Sequence, residues 1–201
     1  MLRRRLSLTP ALSTRLDRLR ERLADHHPAI GDADPALLWA AVAVVLAPSP
    51  DAVLLIRRAE RAGDPWSGHM ALPGGRRAPE DDDLLATAIR ETAEEVGLAL
   101  APSELLGSLD DVVPRTPMLP PIAVRPYVFA VSPRPPLFPN PEVSAFRWVQ
   151  LDQLLHPETY HAVRLQIRGE SRDVPAYDLD QAIVWGLTER IVSNLLEHLR
   201  Q

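Results

Sequence analysis

The spacing of apolar positions changes several times along the chain, and each change predicts an element. Leu12, Leu16, Leu19 and Leu23 recur at helical spacing behind Thr9-Pro10, while Arg15, Asp17, Arg18, Glu21 and Arg22 occupy the opposite face. This predicts an amphipathic helix capped at Thr9, with Pro10 at its first position, that packs on the domain edge or on a partner. It ends near His26-His27-Pro28, where paired histidines before a proline mark a helix terminus rather than a metal site. Residues 35–48 and 51–58 predict two strands, rich in Ala, Val and Leu, around the turn Pro48-Ser49-Pro50-Asp51. A Gly, Pro and Trp loop over residues 63–68 leads into Met70-Ala71-Leu72 and the turn Pro73-Gly74-Gly75. From residue 83 to 96, Leu84, Leu85, Ala88, Ile89, Ala93 and Val96 return to helical spacing, and Gly97 stands where a left-handed C-cap belongs.

Ten of the 21 prolines fall between residues 114 and 141. Their spacing at 114, 117 and 120 suits a polyproline ligand, but strand-like flanks such as residues 127–131 favour loops and edge strands of a β-rich core. Residues 146–149 predict a further strand, and 163–167 with 173–177 a hairpin across Gly169-Glu170-Ser171. Ile183, Leu187, Ile191 and Leu195 predict a closing helix from about Asp180 to Leu199. Strands interrupted by one central helix and closed by another imply α/β layers within one domain.

Composition narrows the chemistry. At 201 residues the chain suits one buried core. All 22 cations are Arg and there is no Cys, which excludes a P-loop lysine, Schiff bases, Cys nucleophiles, disulfides and thiolate metal sites. The net charge of −5 argues against a general nucleic-acid binder. Arg3-Arg4-Arg5 is followed by Thr9 and Pro10 without a continuous apolar core, which predicts a solvated leader rather than a secretory signal. The longest apolar run, residues 36–47, has 12 residues, well short of the roughly 20 that span a bilayer. The expectation is a soluble, cytoplasmic protein with no membrane partner.

Charge is concentrated in the central helix. Glu91 precedes Glu94 by three residues and Glu95 by four, so three carboxylates share one face near the helix C-terminus, where the dipole disfavours anions. Each like-charge pair costs the helix roughly 0.2 to 0.5 kcal/mol. Arg90 reaches Glu94 at i to i+4, but one guanidinium does not neutralise three carboxylates. An all-oxygen cluster suits Mg²⁺ or Mn²⁺, and a solvated acidic face is the plainer alternative.

The run from Gly75 through Glu80-Asp81-Asp82 to Arg90-Glu91-Thr92-Ala93-Glu94-Glu95-Val96-Gly97-Leu98 resembles the signature box of the Nudix hydrolases. That pattern is Gly, five residues, Glu, seven residues, then Arg-Glu-apolar-x-Glu-Glu-x-Gly-apolar. Its second half is matched except for Thr92 at the apolar position. Gly75 to Arg90 is one residue longer, and the early acid falls among Glu80, Asp81 and Asp82. Leu54-Leu55-Ile56-Arg57-Arg58-Ala59, Arg61 and Gly68-His69-Met70-Ala71-Leu72-Pro73-Gly74-Gly75 are similar to the upstream motif of the coenzyme A diphosphatase branch, as Val184-Trp185-Gly186-Leu187-Thr188 is to a segment of its C-terminal helix. The loop Asp64-Pro65-Trp66-Ser67 makes the upstream motif a residue longer than in that branch.

The resemblance implies a Nudix fold, a mixed sheet sandwiched between helices, over residues 36–201, with the box at about 75–98 and an extra amphipathic helix within residues 1–30. It implies metal-dependent hydrolysis of a nucleoside diphosphate derivative, with coenzyme A or its thioesters the foremost substrate. NADH, ADP-ribose and nucleoside triphosphates are rivals, as is a non-catalytic nucleotide-binding module. Mg²⁺ or Mn²⁺ would be held by Glu91, Glu94, Glu95 and the Gly75 carbonyl, with Arg90 orienting the glutamates. Glu94, Glu95 or Glu142 would act as base. Arg58, Arg61, Arg76 and Arg77 are candidate phosphate contacts; His69 touches substrate or packs, and Trp66 stacks on a base or anchors its loop. The partner is a small nucleotide, and a homodimer is compatible with the sequence.

Overall fold

The structure, a computed structural model, describes residues 12–29, 38–62, 67–114, 122–167, 169–180 and 182–200. Strand β1 (Leu38–Ala47) is the spine of the main sheet and runs parallel to β6 (Ile122–Ala130) from Leu38↔Ile122 to Leu46↔Ala130. On its other side it meets β2 (Ala52–Arg58) only at Leu46 and Ala47, and β4 (Gly74–Arg76) only from Ala40 to Val42. Strand β2 instead pairs along its length with β7 (Val143–Gln150), and at its end with β3 (Met70–Ala71). The sheet is therefore split between β1 and β2. The segment from β3 to β4 crosses the split, where Ala43 N donates to Pro73 O at 2.8 Å. Strand β5 (Leu105–Ser108) pairs with β6 at the far side.

The apolar runs of β1 and β2 are continuous because both faces are covered. Val44, Leu46, Val53 and Leu55 face a core shared with helices α1 (Thr14–Asp25) and α4 (Gly186–Arg200). Ala43, Val45, Leu54 and Ile56 face a second core that contains Val96 of helix α2 (Leu84–Val96). The mixed sheet is sandwiched between helices, as expected. Helix α1 is capped by Ser13, whose Oγ accepts from Leu16 N at 3.2 Å; Thr9-Pro10 lies outside the described residues. Leu16, Leu19 and Leu23 are buried with Ile191 and Leu195 of α4. Strand β7 runs into the short helix α3 (Leu151–Leu155).

Three expectations need correction. The closing helix starts at Gly186, because residues 183–185 form β10 (Ile183–Trp185), which pairs with β9 (Glu170–Asp178). Ala182-Ile183-Val184-Trp185 is an unbroken apolar run with no helical period, and Ile183 belongs to that strand. The hairpin of β8 (Tyr160–Ile167) and β9 closes with the pair Ile167↔Glu170, so Glu170 and Ser171 belong to the strand rather than to the turn. The proline-rich strip contributes an interior strand, β6, rather than an edge. Pro126 is tolerated there because its carbonyl accepts from Leu109 N, so its side without an N–H faces a point just beyond the last paired residue of β5. Prolines 117 and 120 lie outside the described residues.

Candidate active site

Helix α2 is fixed at both ends by its own sequence. Asp83 caps the start, its carboxylate accepting from Ala86 N at 2.7 Å; Gly97 ends the helix at φ +67, its N–H donating to Ala93 O. Thr92, the one mismatch in the box, is fully buried and turns its hydroxyl back to Ala88 O at 2.7 Å, so its polar atom is satisfied.

The early acid is Asp81. It is 6% exposed and lies six residues after Gly75, which puts the extra residue between this acid and Arg90. One oxygen accepts from Arg90 Nε at 2.8 Å and the other from Nη2 at 3.0 Å. Thr87 Oγ1 and Ala78 N donate to the same carboxylate, each at 2.8 Å. The Arg90 hydrogen bond, outweighing burial, holds the Asp81 carboxyl well below the usual carboxylate range, and the same bond raises Arg90. Arg90 also donates to Glu91 at 3.0 Å, to Glu94 at 3.2 Å and to Arg76 O at 3.3 Å. One guanidinium thus faces three carboxylates. Arg77 is committed to the carbonyls of Asp81 and Asp82.

Glu94 is exposed, whereas Glu95 is only 4% exposed. The Glu95 carboxylate accepts from Gly74 N at 2.9 Å and makes no ion pair among the described residues. Burial pushes it up to about 7; Glu91 and Glu142 add to the rise, while the Gly74 bond and Arg58 oppose it. Glu91 is raised too, because burial outweighs its bond to Arg90. A Cβ on Gly75 would fall 2.4 Å from the Glu91 carboxyl, so only glycine leaves that carboxyl its place beside the strand. Oxygen donors alone, among them the buried Glu95 and the half-buried Glu91 carboxyls, both with raised pKa, fit a hard divalent cation. Among the described residues no three acids or histidines converge to enclose an ion by themselves, so water and substrate oxygens would complete its shell, as Mg²⁺ prefers.

The C-terminal end of α2 also positions Glu142. Phe138 N and Asn140 N donate to the helix carbonyls of Val96 and Glu95, the Asn140 side chain accepts from Glu142 N at 2.8 Å, and Ala59 N donates to Glu142 O. Arg61 Nη2 meets Glu142 Oε1 at 2.9 Å. Arg58 N donates to His69 O, and the His69 ring stands edge-on to Trp185 at 4.9 Å between centroids. Arg76 supplies its carbonyl to Arg90, and its residue also lines a cleft with Leu38, Trp39 and Pro79. Trp66 lies outside the described residues. Sequence reasoning did not single out Asn140 or Thr87; the Asx-type turn of Asn140-Pro141-Glu142 was the available signal for the first.

A split α/β sheet with an acid-bearing helix at its gap is the frame, and the family it belongs to makes it a hydrolase acting on diphosphate bonds of nucleotide derivatives. The sequence matches the NUDIX domain over residues 37–167, well over half the chain, and the protein belongs to the Nudix family, whose hydrolases generally use divalent ions such as Mg²⁺ or Mn²⁺. It is 32% identical over 162 residues to the uncharacterized Nudix hydrolase NudL of Photorhabdus laumondii, covering 80% of this chain and 84% of that one. A MutT/nudix family protein from Enterococcus faecalis shares the fold at TM-score 0.61 and 17% identity, over 94% of this chain and 75% of the other. The NUDIX domain of Shewanella oneidensis NrtR, complexed with ADP ribose, aligns at TM-score 0.50 and 25% identity, over 67% and 84%. Among the described residues no helix is long and apolar enough to cross a membrane.

Proposed function

We propose that this hydrolase cleaves the diphosphate of coenzyme A or its thioesters to 3′,5′-ADP and 4′-phosphopantetheine compounds. The observation that carries the reading is the upstream motif, Leu54 to Arg61 and Gly68 to Gly75, which lies on and between β2, β3 and β4, the strands that border the carboxylates. A second reading, ADP-ribose as substrate, draws on the likeness to the NrtR domain, whose structure carries that ligand.

In this proposal Glu91, Glu94, Glu95 and the Gly75 carbonyl hold Mg²⁺ or Mn²⁺. When bound, such an ion would neutralise the diphosphate and lower the pKa of a water molecule. Arg90, anchored by Asp81, keeps Glu91 and Glu94 in register. Arg58, Arg61, His69 and Arg76 contact the substrate, the guanidiniums by charge-assisted hydrogen bonds to phosphate oxygens. Glu142 takes the proton of the attacking water, with Glu94 and Glu95 the alternative bases. The water oxygen forms the new P–O bond, and the bridging oxygen leaves with the other phosphate and the electron pair of the broken bond. Incubation of coenzyme A with the protein and Mg²⁺, followed by mass analysis, should yield the two named products; intact coenzyme A would overturn this substrate.

A further inference from the structure

Glu142 is held in an uneven way. Its backbone is fixed on both sides, N–H to the Asn140 side chain and C=O to Ala59 N, and Asn140 is itself tied to the Glu95 carbonyl. Its carboxylate, by contrast, is held by the Arg61 guanidinium, on a pair whose side chains are 54% and 51% exposed. The backbone of Arg61 is fixed as well, its N–H donating to Ser67 Oγ at 2.8 Å. Two rooted residues therefore share one solvent-exposed contact.

We propose that Arg61 and Glu142 form an exchangeable pair that the substrate opens: the diphosphate draws the Arg61 guanidinium onto its oxygens and leaves the Glu142 carboxylate free at the moment when water must be deprotonated. The proposal rests on the functional reading above. Magnitudes favour the exchange, since an exposed ion pair adds little to stability, while a diphosphate offers more charge and two-pronged acceptors to the planar fork. Neither backbone has to move. Arg61 acts here both as a substrate contact and as the positioning residue for Glu142.

The test is a double-mutant cycle on binding of α,β-methylene-ADP with Mg²⁺, read by calorimetry for the wild type, Arg61→Ala, Glu142→Gln and the double variant. Glu142→Gln frees Arg61 and should tighten Kd by up to about fivefold, the factor that corresponds to about 1 kcal/mol. In the Arg61→Ala background the same substitution should change Kd little. Equal tightening in both backgrounds would show simple removal of a negative charge and overturn the exchange, while leaving the functional reading intact. No binding to the wild type would overturn the exchange as stated for a diphosphate, while the functional reading stands or falls on turnover of coenzyme A. Steady-state kinetics should split accordingly, Arg61→Ala raising KM, Arg61→Lys restoring part of it, and Glu142→Gln lowering kcat.

Discussion

The Asp81 carboxylate grips Arg90 with both oxygens, at 2.8 and 3.0 Å, at the base of the helix that bears Glu91, Glu94 and Glu95. The pair staples the loop after β4 to α2 and aims the rest of the guanidinium at two of those glutamates. Asp81→Asn leaves a cation without its main counter-charge in a site where Asp81 is almost wholly buried. It should cost about 2 to 3 kcal/mol, toward the low end for a broken buried pair because Arg90 is partly exposed. Thermal denaturation measures the loss, and kcat should fall more than KM rises because Arg90 is no longer aimed.

The same pair sets an acid limit to stability. Asp81 titrates near pH 3.9 in the unfolded chain and lower in the folded one, because of the Arg90 hydrogen bond. Its stabilising contribution is complete above about pH 4 and is lost as pH falls toward the folded value. Melting temperatures taken from pH 7 down to pH 2.5 should drop more steeply in the wild type than in Asp81→Asn.

Two adjacent glycines should behave differently. A Cβ at Gly74 would strike the Ala41 carbonyl at 2.3 Å and the Val42 Cα at 2.6 Å, both backbone, at φ +149. The three atoms nearest a Cβ at Gly75 all belong to the movable end of Glu91. Gly74→Ala should therefore destabilise the fold, and Gly75→Ala should keep the melting temperature within a few degrees while cutting metal-dependent turnover at least about tenfold.

The proposed metal ligand Glu95 is held at a cost in stability. Its ionised form is buried against a single backbone N–H, and burial pushes it up to about 7. Glu95→Gln keeps an acceptor for Gly74 N and removes the buried charge. The metal-free variant at pH 8 should melt at or above the wild type, by up to about 1 to 3 kcal/mol of added stability, while turnover falls by at least about a hundredfold. Melting in EDTA alongside activity in Mg²⁺ measures both halves.

Much of this is legible in the sequence. The apolar runs of β1 and β2 reflect burial on both faces, and Asp83 and Gly97 bracket α2 because their side chains, or the lack of one, suit the two helix ends. The second half of the box placed Arg90 and the three glutamates on one helix. The early acid was not legible, since Glu80, Asp81 and Asp82 are chemically alike and only the approach of Thr87 and Arg90 selects one. Strand β10 hid in front of the last helix because a four-residue apolar run carries no period of its own. The contact of Arg61 with Glu142 joins residues 81 positions apart, and no local pattern encodes it.

The central claim, metal-dependent hydrolysis of a coenzyme A diphosphate, is tested most directly by kcat/KM across a panel of coenzyme A, an acyl-coenzyme A, NADH, ADP-ribose and nucleoside triphosphates, with Mg²⁺ or Mn²⁺ and with EDTA. The account predicts the highest value for coenzyme A or its thioester, lost in EDTA. Turnover of no member of the panel would contradict it, and a preference for ADP-ribose or NADH would overturn the substrate while leaving the family chemistry in place.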